Sequence, residues 1–255
     1  MCILFIAVEQ HPEYPLIIAA NRDEFHQRPT VQSDFWQDHP SLLAGRDLEA
    51  GGTWMGMNKN GRLCALTNVR DPQKILNNAI SRGHLVSEFL INQDSQQDYL
   101  TKLRDSKQQY NGYNLMFGEW NDLSVYNNHT DNVSKLGPGV YGLSNADLNS
   151  PWPKINQGVT KLREHCQQAV SLDTDKLFEI LLDQTQAKDE MLPKTGVPID
   201  WERKLSSIFI QSQDYGTRSS TLLLVNKNKH VTWLEHTFDP QGINRKQREF
   251  NFYIQ

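Results

Sequence analysis

The chain opens on an unbroken apolar run, Cys2-Ile3-Leu4-Phe5-Ile6-Ala7-Val8. The pattern returns at Leu16-Ile17-Ile18-Ala19-Ala20, after the turn-like His11-Pro12-Glu13-Tyr14-Pro15. Short runs rich in β-branched and aromatic residues, bounded by turn signals, read as strands, and the lack of polar alternation reads as burial on both faces. Two such strands joined by a short turn pair antiparallel, so the end of the second comes back beside the start of the first. That pairing predicts that Asn21, Arg22 and Asp23 lie next to Cys2.

Farther along, residues 25 to 40 lack periodicity and read as a long loop, a kind of segment that is often functional. The runs 53–57 and 62–67 flank Asn58-Lys59-Asn60-Gly61, a strong hairpin signal, and the second run ends at Asn68. Helical spacing marks Ser81 to Ile91, and Ser95 is placed to cap a second helix with Tyr99, Leu100 and Leu103 on one stripe. A further hairpin is expected from 114–118 and 123–126, then a short strand over Val140 to Leu143 that runs out at the polar Ser144-Asn145. Helices follow at about Lys154 to Ala169 and, capped by Asp173, Thr174 to Leu182. Residues 185–200 read as loop, and 207–210, 219–225, 230–236 and 247–253 as strands. Strands, then helices, then strands again predict an α+β protein in which two packed sheets carry helices outside.

No linker interrupts the 255 residues, so one domain spanning 1–255 is expected. A net charge of −4, from 26 basic and 30 acidic residues with no basic stripe, argues against nucleic acid and anionic membrane surfaces as partners. Cys2, Cys64 and Cys166 are odd in number and far apart, which fits neither a disulfide framework nor a Cys-x-x-Cys zinc site. No two histidines have ligand spacing, so no metal and no cofactor are expected. The opening run lacks a basic leader and is interrupted by Glu9, His11 and Glu13, and no 18-residue apolar stretch occurs, which points to a soluble cytoplasmic protein. Asn128-His129-Thr130 and Asn132-Val133-Ser134 match the glycosylation pattern, one that is common by chance. Gly51-Gly52 reads as a tight bend, and Asp47 and Glu49 as solvated loop charges.

A cysteine at position 2 changes this picture, because aminopeptidases remove Met1 when the next residue is small. Cys2 would then carry a free α-amine, which titrates near pH 8 and can take the thiol proton, while a nearby arginine favours the thiolate. Nucleophile and base would be one residue. The competing reading is a small apolar residue in a core strand.

Met-Cys-Ile-Leu-Phe followed by Ala-Ala-Asn-Arg-Asp-Glu-Phe resembles the opening of the NRDE family, the relatives of the transport and Golgi organisation 2 protein. The resemblance continues through Gly45-Arg46-Asp47, Gly51-Gly52-Thr53-Trp54-Met55-Gly56, Ala65-Leu66-Thr67-Asn68-Val69-Arg70, Tyr141-Gly142-Leu143-Ser144-Asn145 and Tyr215-Gly216-Thr217-Arg218-Ser219-Ser220. That family in turn is distantly similar to N-terminal nucleophile hydrolases of the choloylglycine hydrolase kind. The resemblance implies a four-layer αββα sandwich and an N-terminal cysteine hydrolase or acyltransferase acting on a small amide or acyl compound. It carries Cys2 over as nucleophile, Asp23 as its charged partner, and Asn68, through its backbone N–H, with Asn145 as oxyanion donors. Arg22 and Arg218 compete for one arginine role, because the hydrolases order these residues Arg-Asn-x-Asp where this chain has Asn21-Arg22-Asp23. Asn21 and Trp54 are carried over as substrate contacts. A turn asparagine bonding its own backbone remains the other reading of Asn21 and Asn145, and an ordinary salt bridge that of Arg218. A rival function also follows from the resemblance: a non-catalytic carrier on a degenerate hydrolase fold, its cleft holding haem or an acyl-lipid.

Overall fold

The fold was read from a computed structural model, which describes residues 2–168 and 171–255. Its elements in chain order begin with six strands: β1 (Cys2–Val8), β2 (Leu16–Phe25), β3 (Thr30–Phe35), β4 (Leu42–Asp47), β5 (Met55–Asn58) and β6 (Arg62–Asn68). Two helices, α1 (Gly83–Ile91) and α2 (Gln96–Ser106), lead into β7 (Tyr113–Glu119), β8 (Asp122–Asn127), β9 (Asn132–Lys135) and β10 (Gly139–Leu143). Helices α3 (Pro153–Gln168), α4 (Thr174–Leu181) and α5 (Ile199–Lys204) precede β11 (Tyr215–Val225), β12 (His230–Phe238) and β13 (Asn244–Tyr253).

The strands form two sheets, in the orders β10-β1-β2-β11-β12-β13 and β3-β4-β5-β6-β7-β8-β9. Every recorded pairing is antiparallel. One apolar layer, with Leu4, Ile6, Ile18, Met57, Leu63 and Trp233, is shared by the two sheets. A second joins the seven-stranded sheet to α1 and α2 through Leu85, Phe89 and Tyr99. A third joins the six-stranded sheet to α3 and α4 through Ile3, Phe5, Leu162 and Leu177. The architecture is therefore the αββα sandwich implied by the resemblance.

The uninterrupted apolar sequence of β1 follows from this layering. Leu4 and Ile6 face the other sheet while Ile3 and Phe5 face α3, all at 2 % exposure or less. Each such side chain contributes about 1.5–3 kcal/mol when fully buried, so both faces stabilise the strand. Helix α3 lies over β1 so closely that a Cβ at Gly158 would come within 2.1 Å of the Phe5 ring. The β1–β2 register pairs Cys2 with Arg22 and Ile3 with Asn21, as the hairpin argument requires.

Several elements differ from the sequence reading. The segment read as a loop from Phe25 to Pro40 contains β3, an edge strand whose buried residue is Ser33. Ser33 bonds Glu235 of the other sheet from both its N–H and its hydroxyl, so this strand has no apolar alternation to betray it. Strands β4 and β9 carried no strand signal strong enough to be read. Ser207 to Ile210 is not a strand; its apolar side chains are buried in irregular chain, which meets β11 where Ile210 exchanges hydrogen bonds with Thr217 and at the Gln211–Gly216 bridge. The 185–200 loop holds a turn of 3₁₀ helix at Asp189–Met191 and runs into α5. Strand β11 starts at Tyr215, four residues before the predicted Ser219, and Ala169, the predicted end of α3, lies outside the described residues.

Candidate active site

Cys2 stands at the first position of β1, half-buried, on the inter-sheet side of the pleat with Leu4 and Ile6. It opens into a cleft of about 330 Å³ whose lining also includes Arg22, Asp23, Trp54, Asn68 and Arg82. Asn68 ends β6 of the opposite sheet and so reaches this mouth from the facing layer. Asn145 lies just past β10, the neighbour of β1, and its Nδ2 donates to the Asn68 carbonyl at 3.0 Å. The Ser144 hydroxyl donates to the Cys2 carbonyl at 3.3 Å. It also lies 3.1 Å from Asn145 Oδ1, and the Arg70 N–H donates to the Asn145 carbonyl at 2.8 Å. An amide carries two N–H donors, so one of those on Asn145 remains after Asn68 takes the other. The turn that carries Asn145 is held by Asn114, whose Nδ2 lies within 3.2 Å of the carbonyls of Ser144 and Ala146 and of Thr67 Oγ1.

The arginine opposite Cys2 is enclosed rather than solvated. Arg22 is 5 % exposed, stacks its guanidinium 4.3 Å from the Trp54 ring centroid, and lies 3.9 Å from Asp47. Its Nη1 is buried with no hydrogen-bond partner among the described residues. Trp54 can lie there because residue 45 is glycine: a Cβ at Gly45 would come within 2.2 Å of the indole. Asp47 is thus a wall of the cleft and not a solvated loop charge; it takes Arg28 Nε at 2.6 Å and the N–H groups of Glu49 and Ala50. The double glycine is the expected bend, Gly51 having a φ of +79°, and at Gly52 the chain passes too near Gly83 for any Cβ.

Burial governs the titration of this region. It pushes the Cys2 thiol above its ordinary value, with the Asp23 carboxylate adding to the rise and Arg22 opposing it. Burial also lifts Asp23 to about 6, against Lys154, the Thr217 hydroxyl at 2.8 Å and Arg22, all of which favour the carboxylate. Cys166 is lifted by burial to about 11 and Cys64 well above the ordinary thiol range.

Two predicted residues stand outside the cleft. Asn21 alternates to the helix side of β2, where Nδ2 donates to the carbonyls of Leu181 and Ile208 and Oδ1 accepts from Ser220; its side chain is consumed in holding α4 to the sheet. Arg218 is the extra residue of a bulge between Thr217 and Ser219. Its guanidinium donates to the carbonyls of Phe25 and Arg28 and lines a neighbouring cleft on the far side of Trp54. Cys2, Arg22, Asp23, Trp54 and Asn68 line one cleft, and Asn145 lies behind it, bonded to Asn68.

The reading of single residues also missed a buried ionic group behind Asp23. Arg70 and Glu202 form an ion pair at 2.7 Å, with 5 % and 4 % exposure, and Lys154 is 3 % exposed with Nζ donating to the Leu205 carbonyl at 2.9 Å. Burial lowers Lys154 to about 7, Arg70 adding to the fall and Asp23 opposing it. A lysine at the start of a polar helix carries no local signal of burial. Among the described residues no His, Cys, Asp and Glu cluster could hold a metal ion, and no helix is long and apolar enough to cross a membrane.

A Caenorhabditis elegans N-acylethanolamine-hydrolyzing acid amidase ortholog of known structure superposes with a TM-score of 0.52 at 12 % identity, covering 88 % of this chain and 92 % of its own. The fold is accordingly that of the N-terminal nucleophile hydrolases. In sequence, the mouse transport and Golgi organization 2 homolog is 34 % identical over the whole of both chains. The Drosophila melanogaster transport and Golgi organization protein 2 is 27 % identical over 95 % of each. The profile of the Transport and Golgi organisation 2 family matches residues 1–240, and the chain belongs to that family.

Proposed function

We propose that the protein is an N-terminal cysteine hydrolase or acyltransferase that acts on a small acyl amide with Cys2 as nucleophile. The observation that carries this reading is the meeting of Cys2 and Asn68 at one cleft, with Asn145 bonded to Asn68 behind it, from residues 66 to 143 positions from Cys2 in the chain. Removal of Met1 would turn the Cys2 nitrogen into an amine. That amine takes the thiol proton as sulfur attacks the acyl carbon, and the oxyanion accepts from the Asn145 amide and the Asn68 N–H. Collapse of the adduct breaks the C–N bond, the amine leaves with the proton, and a thioester remains on Cys2. Water then gives the acid and restores the thiol, and another nucleophile in its place makes the reaction an acyl transfer. The nematode amidase that shares the fold hydrolyses N-acylethanolamines, and an acyl amide is the class assigned here. All three cysteines are free, in keeping with a reducing compartment such as the cytoplasm.

One observation favours a second reading, a carrier of an apolar ligand such as haem or an acyl-lipid. Ile80 lines the cleft and is 42 % exposed, with Ile75 and Leu76 of the same segment also exposed, while burial disfavours the Cys2 thiolate. Intact mass before and after brief iodoacetamide treatment separates the two. The hydrolase requires a protein lacking Met1 and a first adduct at Cys2, ahead of Cys64 and Cys166, with Cys2→Ala abolishing turnover of an N-acyl amide. A retained Met1 with Cys2 unmodified rejects the hydrolase.

A further inference from the structure

The neighbouring cleft, on the far side of Trp54, has no part in the reaction just described, yet its wall holds polar groups with nothing to bond. It encloses about 200 Å³ and is lined from both sheets. Its wall follows from the register. Arg22 of β2 pairs with Ser219 of β11, Ser219 with Thr237 of β12, and Thr237 with Lys246 of β13. Residues opposite one another in antiparallel strands share a face, so these four form one polar row across the six-stranded sheet, and all four line the cleft. Thr237 is held from the other sheet, its hydroxyl accepting from Gln32 Nε2 at 2.9 Å. The two residues before it in the row are not held: Arg22 Nη1 and Ser219 Oγ are buried without a hydrogen-bond partner among the described residues, in side chains 5 % and 4 % exposed. One unmade buried donor is costly, and two side by side on the wall of one cleft point to a missing acceptor.

The charges of the lining say which acceptor. Arg22, Arg218, Arg245 and Lys246 stand against one acid among the described lining residues, Glu235. Glu235 takes the Ser33 N–H at 2.8 Å and the Ser33 hydroxyl at 2.7 Å, and it leaves Arg22 Nη1 unbonded. Arg245 is engaged by Asp239 at 2.6 Å, whereas Arg22 reaches Asp47 only at 3.9 Å, through Nη2. Arg218, the bulge residue beside Ser219, faces Arg22 as a like charge, which together with burial disfavours its charged form. A cleft of one sign collects a counter-ion, and guanidinium and ammonium groups can only donate. We infer that this cleft is a second binding site, which takes a compact oxyanion, phosphate or carboxylate, between Arg22, Ser219 and Lys246. The oxyanion accepts from Arg22 Nη1 and Ser219 Oγ at the buried end and meets Lys246 at the mouth. Because Arg22 and Trp54 line both clefts, the anion lies one side chain away from the Cys2 cleft. The site holds whether or not Cys2 is a nucleophile.

The test is isothermal titration calorimetry of the full-length protein with sodium phosphate and, separately, sodium acetate, in Tris chloride at constant ionic strength so that chloride competes throughout. At least one of the two should saturate at one equivalent, and the tighter of them identifies the oxyanion as phosphate or carboxylate. Ser219→Ala removes an unpartnered hydroxyl at nearly unchanged volume and should weaken that binding about tenfold or more, the range for a hydrogen bond to a charged group. Lys246→Ala, at an exposed position of the edge strand, should weaken it about two- to fivefold. Lys188→Ala makes the same charge change outside this cleft and should leave binding as in wild type. Thermal midpoints give a second readout: the bound ion should raise that of wild type more than that of Ser219→Ala. No saturable binding of either ion overturns the inference. Equal binding by wild type, Ser219→Ala and Lys246→Ala also overturns it, since that is the pattern of an adventitious ion only. If Ser219→Ala fails to fold, Lys246→Ala measured against Lys188→Ala decides, and equal binding by those two overturns the inference. None of these outcomes depends on Cys2, so the hydrolase reading stands or falls separately.

Discussion

Asp23→Asn should stabilise the protein more at pH 7 than at pH 4, and the sign follows from linkage. In the folded chain burial holds Asp23 protonated up to about 6, against an ordinary value of 3.8. The unfolded chain therefore loses this proton first, so the stability associated with Asp23 is complete below about pH 4 and is lost as pH rises through about 6. A shift of two units at 1.36 kcal/mol each gives a loss on the order of 3 kcal/mol. The full figure applies because Asp23 is 2 % exposed and solvent does not screen it. Asparagine has the same shape, can still accept from the Thr217 hydroxyl, and does not titrate. Other carboxylates contribute equally to both proteins and cancel in the difference. Urea unfolding of wild type and Asp23→Asn at four pH values between 4 and 7 gives that difference directly. The variant should gain about 3 kcal/mol on wild type across the interval. A difference that stays flat, or one that falls with pH, would refute the assignment of Asp23 as a carboxylate held against its solvation.

Three further substitutions test the packing that carries the site. Gly158→Ala gains about 1 kcal/mol of helix propensity but drives a Cβ to 2.1 Å from Phe5, so a net loss of about 1–2 kcal/mol is expected in urea unfolding, relieved by adding Phe5→Leu. Gly45→Ala should displace the Trp54 indole from Arg22, seen as a shifted tryptophan emission and a cleft more accessible to iodoacetamide at Cys2; an unchanged spectrum would contradict the contact. Asn114→Ala removes the donor that holds the Ser144–Ala146 turn and should cost about 1–3 kcal/mol in urea unfolding; an unchanged midpoint would contradict that role.

What the sequence disclosed depended on how local the physical cause was. The pairing of Cys2 with Arg22 was legible because an apolar run, a turn and a second apolar run leave one sensible register. The hairpin at Asn58 to Gly61 was legible from its Asn-Gly pair, and the α4 cap from Asp173. Strand β3 was hidden because what it buries is a serine bonded to a glutamate some 200 residues away. The same limit hid Lys154 and Glu202, whose meaning comes from partners on other elements. Asn21 and Arg218 were misplaced for a related reason. A residue motif says which side chains are near one another but not which way the pleat turns them, and a one-residue bulge or the next position along a strand reverses the face.

The charges at this site share one direction of cost, and that bears on how it can work. Burial raises the Cys2 thiol, raises Asp23 and lowers Lys154, so each group is driven toward its neutral form. Burial of this kind disfavours a standing thiolate, so that ionisation depends on a partner being in place. For a cysteine nucleophile the consequence is that proton removal must accompany attack, which favours a base attached to the nucleophile itself over a distant one. The same poor solvation strengthens any hydrogen bond given to charge that appears during the reaction, because protein dipoles already fixed by Asn68, Ser144 and Arg70 need not reorganise. A raised resting thiol is therefore compatible with an N-terminal nucleophile and incompatible with one that relies on a standing thiolate. The two differ in measurable form: the first loses alkylation and turnover together when the Cys2 amine is blocked, and the second keeps both.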